Sequence, residues 1–402
     1  MDSADLFWVT QTMRIKLVSC WFNTSYAEYS NGLRKALEAQ VGAEVGVIAS
    51  NCGCNDPMDG VFFDDSSDYF EMPHMKYWNS TNPLKRWIRL NTRQVLYRER
   101  AKRYMQRADD AEVLHFQQTL NGYGSAVVFN WLKMSTAAAR IVTVHELDPF
   151  QLDFKKENLA YNLADRIIVH AGDLRQELID LGVDSQRIDV IPHGAQIPPV
   201  SDVARAGIVF YGGHKLNATK GLANLAHAMA LVRAELGAAT PVLKIHGYYG
   251  EDTRVDGLQV LEEAGIVDLV RWLDRINNEE VIEEYQKSLL CVLPFTGSFA
   301  GFAVSNAMAN HLPVIGTRFA GMPEHLGDTG TFVEAGDPEQ LAASILKHLA
   351  DPVLRGELAA RARLRAESLL SWEKVASKTI ETYQRALQRK AEIPRALQAR
   401  IA

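Results

Sequence analysis

The stretch that decides the fold is residues 294–324, PFTGSFAGFAVSNAMANHLPVIGTRFAGMPE. It follows an apolar run at 289–293, which predicts a buried strand. A loop of small residues comes next, then a short helix over 304–310 and a second apolar strand at 313–317. Strand, glycine-containing loop, helix and strand in this order form the repeating unit of a parallel α/β sheet.

The loop of this unit, residues 296–301, is predicted to lie at the carboxyl end of a strand and at a helix N-terminus. Backbone N–H groups without helical partners point out of such a terminus, and the helix dipole favours negative charge there. The first interpretation is therefore an anion site for a phosphate or a nucleotide. The alternative is an ordinary βαβ crossover that binds no ligand.

Length and composition limit the class of protein. The chain has 402 residues, which exceeds what one hydrophobic core normally organises and favours two domains. It is 47% hydrophobic and 23% charged, as is typical of a globular protein. The net charge of −6 argues against a general nucleic-acid-binding protein, which would carry an excess of basic residues.

Cysteine spacing and hydropathy argue against two further classes. The four cysteines include one close pair, Cys52 and Cys54, without the second pair or the histidines of a zinc finger, so no metal site is expected. No apolar stretch is long enough to predict a membrane span. Residues 1–12, expected to be an upstream extension, lack the basic and apolar regions of a signal peptide. A reducing, cytoplasmic setting is the default expectation.

Titratable side chains follow the predicted strands of the first half. The strands are predicted at 15–20, 45–49, 111–117, 139–145, 165–170 and 188–192. Four histidines fall at or just after strand ends: His115, His145, His170 and His193. Because the carboxyl ends of parallel strands share one edge, this placement predicts a cluster at a ligand-binding edge. For any one of them alone, a structural histidine is the better interpretation.

Three segments between these strands are distinctive. A polar, aromatic loop at 21–31 would lie at the carboxyl edge of the sheet, where ligands bind. Residues 51–75 are acidic and are predicted to form an irregular surface insertion. Residues 76–107 carry ten lysines and arginines against one acid, Glu99, with aromatic residues between them. Such a basic amphipathic helix could dock on an anionic membrane surface or an acidic substrate, or could pack on its own domain.

The second half begins after a segment rich in proline and glycine, 192–207, which predicts an interdomain linker. A strand at 207–211, a loop at 212–221 and a helix over Leu222–Leu236 follow. Lys215 and Lys220 lie in this loop, where lysines beside free N–H groups suit phosphate oxygens. Further strands are predicted at 242–247, 269–273 and 289–293, and helices at 338–350, 353–369 and 372–387.

Several short motifs, in this order and spacing, resemble those of a known family. They are Val190-Ile191-Pro192-His193-Gly194, Tyr211-Gly212-Gly213 with Lys220-Gly221, Asn306-Ala307-Met308-Ala309 with Pro313-Val314-Ile315, Gly321-Met322-Pro323-Glu324 and Ser371-Trp372-Glu373. The chain is similar to retaining nucleotide-sugar glycosyltransferases of the GT-B fold, in particular glycosyltransferase family four. The resemblance covers nearly the whole chain from Met13 and is strongest from Asp165 to Trp372.

The resemblance implies an α/β fold of two facing Rossmann-like, doubly wound parallel-sheet domains with a C-terminal crossover helix. The acceptor-side domain would span 13–198 and the nucleotide-sugar-binding domain 199–371. The terminal segment 372–402 would return to the N-terminal domain. The implied activity is transfer of a sugar from a nucleotide-diphosphate-sugar to an acceptor with retention of anomeric configuration. The nucleotide-sugar is a substrate, so no cofactor is implied, and no metal is required.

The resemblance also assigns residues. Lys220 would neutralise the donor diphosphate, and His145 would lie near the reacting sugar. The expected donor-binding residues are Gly212, Gly213, His214, Lys215, Ser298, Gly301, Phe302 and Asn306. The expected acceptor-side residues are Asn23, Tyr26, His115 and Gln117.

Two departures from the family pattern concern the donor. Ser298 and Asn306 stand where the family has two glutamates, and His214 stands where it usually has an arginine. A hydrogen bond to a charged partner is worth roughly 1.5–3 kcal/mol and a neutral one about 1 kcal/mol, so these changes are expected to weaken or re-tune donor binding. One alternative function is a catalytically degenerate GT-B protein that binds a ligand or partner enzyme. Another is a nucleotide-sugar epimerase of the same fold.

Overall fold

The computed structural model describes two α/β units. The described residues are 13–19, 24–41, 43–51, 68–71, 82, 110–117, 132, 137–145, 147, 159–213, 218–247, 251–273, 278–297, 301–319 and 321–392. The basic segment 76–107 lies, apart from residue 82, outside these residues, as does the extension 1–12.

The first unit contains a parallel sheet of seven strands in the order β3-β2-β1-β4-β5-β6-β7. The strands are β1 Arg14–Ser19, β2 Glu44–Asn51, β3 Asp68–Glu71, β4 Val113–Phe116, β5 Ala139–Val144, β6 Arg166–Val169 and β7 Ile188–Val190. In the register, Ile15 lies opposite Val45 on one side and Val113 on the other. The central strand β4 is buried at every position, as expected of a parallel strand covered on both faces.

The second unit contains a parallel sheet of six strands in the order β10-β9-β8-β11-β12-β13. The strands are β8 Ile208–Gly213, β9 Leu243–Gly247, β10 Val270–Leu273, β11 Leu290–Leu293, β12 Val314–Thr317 and β13 Thr331–Val333. The neighbouring strands β11 and β12 are buried at every position. Two doubly wound parallel sheets confirm the predicted α/β class.

Helices cover the faces of both sheets. Within the described part of the chain they are α1 Thr24–Val41, α2 Gly172–Asp180, α3 Leu222–Leu236, α4 Glu251–Glu263, α5 Asn278–Gln286, α6 Gly301–Ala309, α7 Met322–Leu326, α8 Pro338–Ala350, α9 Pro352–Arg365 and α10 Trp372–Glu392. A π-helical turn, Ala366–Leu370, joins α9 to α10. No helix among these described residues is both long and apolar enough to cross a membrane.

The chain passes from one unit to the other more than once. The first unit comprises Met1–His170, Leu174–Ile191 and Val375–Ala402, and the second comprises Ala171–Asp173 and Pro192–Lys374. Most of α10 therefore belongs to the first unit, where Val375, Thr379 and Tyr383 form part of its buried stripe. On that stripe the Tyr383 hydroxyl contacts His115 of β4.

Several predicted segments differ from the structure. Helix α1 begins at Thr24, because Tyr29 is buried and continues the buried four-residue spacing of Leu33 and Leu37. The predicted loop at 21–31 is therefore wrong from Thr24 onward. The acidic insertion contains a strand, β3, that pairs with β2. Gly212 and Gly213 close strand β8 rather than open a loop, because Gly213 pairs with Gly247 of β9.

Candidate functional site

The strand order of the second sheet reverses between β8 and β11. From β8 the chain adds β9 and β10 on one side and then returns to place β11 on the other. Ligands of open α/β sheets bind at the carboxyl ends of strands at such a reversal. The loops that leave β8 and β11 at this point carry Lys220 and the quoted stretch from Pro294.

These two loops pack directly on each other. The Thr296 N–H donates to the Thr219 carbonyl oxygen at 2.9 Å. Gly221 has φ +74°, and a Cβ there would lie 1.9 Å from the Pro294 carbonyl oxygen. Only glycine fits this conformation and this close approach. The contact fixes the position of the residue before it, Lys220, relative to the β11 loop.

Lys220 lies over an aromatic ring. Its Nζ is 4.5 Å from the centre of the Phe295 ring, within the range of a cation–π interaction. Phe295 is only 2% exposed, and its carbonyl oxygen accepts a hydrogen bond of 2.5 Å from the Thr317 hydroxyl. The Phe295 backbone is thus held by β12, and its buried ring lies under a half-buried lysine at the strand-order reversal. Phe295 was not among the predicted site residues.

Helix α6 begins at Gly301, three residues before its predicted start at Val304. The N–H groups of Gly301 and Phe302 therefore lie in its first turn, where they have no intrahelical acceptor. Seven of its nine residues are buried, and Phe302 and Asn306 keep partial exposure. Residues four apart share one helix face, so the predicted donor residues Phe302 and Asn306 lie side by side on the exposed face.

The remaining predicted donor residues divide into two groups. Gly212 and Gly213 are the last two residues of β8 and reach the same sheet edge. His214, Lys215 and Ser298 lie outside the described residues.

His193 packs on the start of α6. Its ring centre lies 4.3 Å from that of Phe302, and its carbonyl oxygen accepts from the Ser305 hydroxyl at 3.2 Å. The His193 N–H donates to Nε2 of His325 at 3.4 Å, and Nδ1 of His325 lies 3.1 Å from the Gly321 carbonyl oxygen. Burial lowers the pKa of His325 to about 4, so the ring is neutral. His325, which no sequence pattern singled out, thus connects the His193 motif to the Gly321 motif, and His193 in turn contacts α6.

The motif that contains His193 also meets the Ser371-Trp372-Glu373 motif within the second unit. A Cβ on Gly194 would lie 2.4 Å from the Trp372 ring, and Ala195 pairs with Ser371 in an isolated parallel bridge. The Ala195 N–H donates to the Leu370 carbonyl oxygen at 2.7 Å. The glycine after His193 is therefore required by the tryptophan that starts α10.

The first sheet reverses its strand order between β1 and β4. Predicted acceptor-side residues lie at this point. Tyr26 lies in the first turn of α1, and Gln117 directly follows β4. Asn23 lies outside the described residues. The topology thus brings Tyr26 and Gln117 to one edge of this sheet.

His115 is buried in the first unit and holds α10 to the sheet. Its Nδ1 lies 2.7 Å from the Tyr383 hydroxyl, and its Nε2 lies 2.7 Å from the Thr143 hydroxyl. The Gln117 amide nitrogen is 3.1 Å from the same Nδ1. Burial lowers the pKa of His115 to about 3. These contacts give His115 a structural role, and its contact with an acceptor stays a prediction.

His145 follows β5 and lies against two other buried side chains. Its ring centre is 5.0 Å from that of Tyr29 and 4.7 Å from that of His170. Burial, and next the imidazoles of His170 and His115, lower the pKa of His145 well below its ordinary value. Burial raises the pKa of Tyr29, with a smaller opposing effect of Thr143, so the phenol is neutral. Tyr29 was not a predicted site residue.

Two successive parts of the chain match the models of two known protein families. Residues 29–197 match the family model of Glycosyltransferase Family 4, and residues 205–351 match that of Glycosyl transferases group 1.

Two relatives have names that state a reaction. An MMP alpha-(1->4)-mannosyltransferase of Mycolicibacterium hassiacum is 24% identical over 59% of this chain and 57% of its own. A D-inositol 3-phosphate glycosyltransferase of Geodermatophilus obscurus is 26% identical over 55% of this chain and 52% of its own. The alignments span about half the length of these relatives.

Solved structures of the same fold cover nearly the whole chain. Sucrose-phosphate synthase of Thermosynechococcus elongatus superposes with a TM-score of 0.73 at 21% identity, over 94% of this chain and 99% of its own. HepE of Anabaena, in complex with UDP-glucose, superposes with a TM-score of 0.65 at 17% identity, over 92% and 99%. The chain therefore matches the Glycosyltransferase Family 4 model and then the Glycosyl transferases group 1 model, and it has the two-domain α/β fold of the GT-B glycosyltransferases.

Proposed function

We propose that this protein is a glycosyltransferase that moves a sugar from a nucleotide-diphosphate-sugar to an acceptor hydroxyl with retention of anomeric configuration. The observation that carries the proposal is the packing of the Lys220 loop on the β11 loop at the strand-order reversal of the second sheet. The matching glycosyltransferase families support it, as do relatives named for the transfer of sugars.

The leaving group determines which chemistry the second unit supplies. When the bond from the sugar to the diphosphate breaks, negative charge grows on the diphosphate oxygens. Lys220 supplies a positive charge, and the N–H groups of Gly301 and Phe302 add the dipole of α6. The backbone of Gly212 and Gly213 reaches the same edge. Fixed groups of this kind stabilise a developing charge without having to reorganise.

Retention requires the acceptor to attack the face from which the diphosphate departs. In the proposed step the glycosidic bond breaks ahead of the new bond, giving an oxocarbenium-like centre. A leaving-phosphate oxygen takes the proton of the acceptor hydroxyl, so no protein nucleophile is required. Lys220 carries the charge role that a metal has in other transferases, and His145 lies beside the sugar.

A second candidate function is a GT-B protein that binds a ligand or a partner enzyme without efficient catalysis. It is favoured by Ser298 and Asn306, which replace two glutamates of the family pattern. Asn306 lies on the exposed face of α6, where a carboxylate would be placed for a ribose or sugar hydroxyl. The amide can still form hydrogen bonds there, but these bonds lack the added strength of a charged acceptor.

A donor panel separates the two functions. Purified protein is incubated with UDP-, GDP- and ADP-sugars in the presence of a chelator, and release of the nucleoside diphosphate is measured with and without simple glycoside acceptors. The transferase predicts turnover of at least one donor and a product with the donor's anomeric configuration, read by NMR. Binding of a nucleotide without turnover of any donor would instead support the binding protein.

The segment 76–107 bears on the identity of the acceptor, because its ten basic residues are interleaved with aromatic and aliphatic ones. We propose that this segment places the protein at an anionic membrane surface, where a lipid-linked or anionic acceptor would be encountered. Cosedimentation with vesicles containing anionic lipid should be strong at low salt and should fall as salt is added. Equal sedimentation with neutral and anionic vesicles would contradict this proposal.

A further inference from the structure

A loop of the second unit carries an exposed cation and an exposed aromatic ring beside the proposed donor loops. Arg318 and Phe319 directly follow β12, which ends at Thr317. β12 pairs with β11, and the Thr317 hydroxyl donates to the Phe295 carbonyl oxygen, so the two loops are neighbours. Because adjacent strands lie about 4.8 Å apart and only β11 separates β12 from β8, their carboxyl ends lie about 10 Å apart.

The guanidinium of Arg318 is held in place without an anionic partner. Its Cζ lies 4.9 Å from the centre of the Phe332 ring, on the neighbouring strand β13. Arg318 is exposed, and within the described part of the chain it forms neither an ion pair nor a hydrogen bond. A guanidinium stacked on a ring keeps its N–H groups available for a carboxylate or a phosphate. The stacking also reduces the entropy that a long side chain loses when it binds a ligand.

The ring of Phe319 is exposed at the same strand end. Single exposed hydrophobic residues are common on protein surfaces, so the position of this one decides its meaning. Phe319 is 39% exposed and is the one aromatic residue among the exposed large hydrophobic residues of the described chain; the others lie in the linker, in helices or before strands. Its carbonyl oxygen accepts from the Met322 N–H at 3.1 Å, which fixes its backbone in a turn. An aromatic face at a ligand-binding edge suits the C–H face of a sugar ring.

We propose that Arg318 and Phe319 form an acceptor subsite on the second unit, which takes a sugar ring that bears a carboxylate or a phosphate. The ring packs its C–H face on Phe319, and the anionic group accepts hydrogen bonds from the guanidinium of Arg318. The donor has its own anchor in the diphosphate at Lys220, so we assign this second anion to the acceptor. That assignment rests on the proposed function, whereas the binding of an acidic sugar does not.

Binding can be measured on the full chain without a donor. Titrations followed by NMR compare methyl glucuronide, methyl glucoside 6-phosphate and neutral methyl glucoside, so that the carboxylate and the phosphate are separate arms. At low salt we expect at least one acidic glycoside to bind about tenfold more tightly than the neutral one, as for one hydrogen bond to a charged group. Equal affinities of the acidic and neutral glycosides, or no binding of either acidic glycoside, would overturn the proposal.

Two variants separate the contributions of the two side chains. Arg318→Gln should remove the preference for the acidic glycoside and leave the affinity for the neutral one unchanged. Phe319→Leu should weaken both roughly threefold and should abolish the upfield shift that a ring face imposes on the C–H protons of the sugar. Arg361→Gln is the matched control, because Arg361 is an exposed arginine of α9 that pairs with Asp328. An equal loss of preference in this control would show an effect of net charge alone and would refute the subsite.

The readouts distinguish a failure of this subsite from a failure of the proposed function. Binding needs no turnover, so the preference for an acidic sugar is decided even where no donor of the panel is used. With an active donor, kcat/KM for the acidic acceptor should fall about tenfold in Arg318→Gln, while KM for the donor stays unchanged. A raised donor KM with unchanged acceptor kinetics would place Arg318 at the donor and overturn the assignment to the acceptor.

Discussion

The charge of Lys220 rests on the face of an aromatic ring, 4.5 Å from the centre of Phe295. This contact is worth about 0.5–1 kcal/mol at a partly exposed site. It restricts the lysine side chain near the point at which a diphosphate would bind. The single residue thus links the packing of the second unit to its proposed chemistry.

Replacement of the ring should weaken donor binding. Phe295→Leu keeps an apolar side chain but removes the ring face, and KM for the donor should rise roughly two- to fivefold. Phe210→Leu is the matched control, because Phe210 is fully buried and packs on Phe295 without lying under the lysine. Steady-state kinetics of both variants provide the measurement. An equal rise of KM in both would assign the effect to core packing.

Some site residues of the second unit could be predicted from the sequence because they lie in local patterns. Lys220 stands before Gly221 at a predicted helix start, and Gly301 precedes an apolar helix, so both lie in local patterns. Phe295 and His325 act through neighbours distant in the chain. The Phe295 ring meets a lysine of another loop, and His325 meets the backbone of His193. No local pattern contains such contacts.

At the scale of elements, the β8 and β11 loops act as one assembly because Gly221 lets their backbones approach. Its positive φ also starts α3.

The bounds of α3 and α8 agree with the prediction because local signals define them. Gly221 precedes α3, and Asp337 and Pro338 start α8, the aspartate by accepting from the Gln340 N–H. The start of α1 lies within a predicted loop because its first turns are polar and only the fold buries Tyr29.

A methyl group at this contact should separate the loops. Gly221→Ala combines an unfavourable positive φ with a clash against the Pro294 carbonyl and should lower the free energy of unfolding by about 3 kcal/mol or more. Gly265→Ala is the control, since Gly265 has φ +67° but no atom within 4 Å of its Cβ position, and should cost about 1–2 kcal/mol. Urea unfolding measures both. Equal losses would show that the loop contact adds nothing.

At the scale of the whole molecule, both units contain buried neutral histidines. Burial lowers the pKa of His115 to about 3 in the first unit and that of His325 to about 4 in the second. In the unfolded chain both have a pKa near 6.5. The unfolded state therefore binds more protons between about pH 4 and 6.5, and stability falls as the pH falls through this range.

These pKa differences predict a measurable slope of the free energy of unfolding against pH. Below pH 6 each of the two histidines should lower the free energy of unfolding by about 1 kcal/mol per pH unit, and above pH 7 neither contributes a slope. His325→Gln should remove the contribution of one proton to this slope, because burial lowers the pKa of His325 only in the folded state. Urea unfolding from pH 7.5 to 5 gives the slopes. Identical slopes in wild type and His325→Gln would contradict the assignment.

We propose that the second unit stabilises a departing diphosphate through Lys220. It is tested most directly by the rate of nucleoside diphosphate release from the best donor of the panel, in wild type, Lys220→Ala and Lys287→Ala. Lys287 precedes β11 and so lies at the amino ends of the strands, away from Lys220. It forms an exposed ion pair with Glu283. We expect Lys220→Ala to lower kcat roughly 10²–10³-fold and Lys287→Ala to leave it unchanged. Equal kcat in folded Lys220→Ala and wild type would contradict the account.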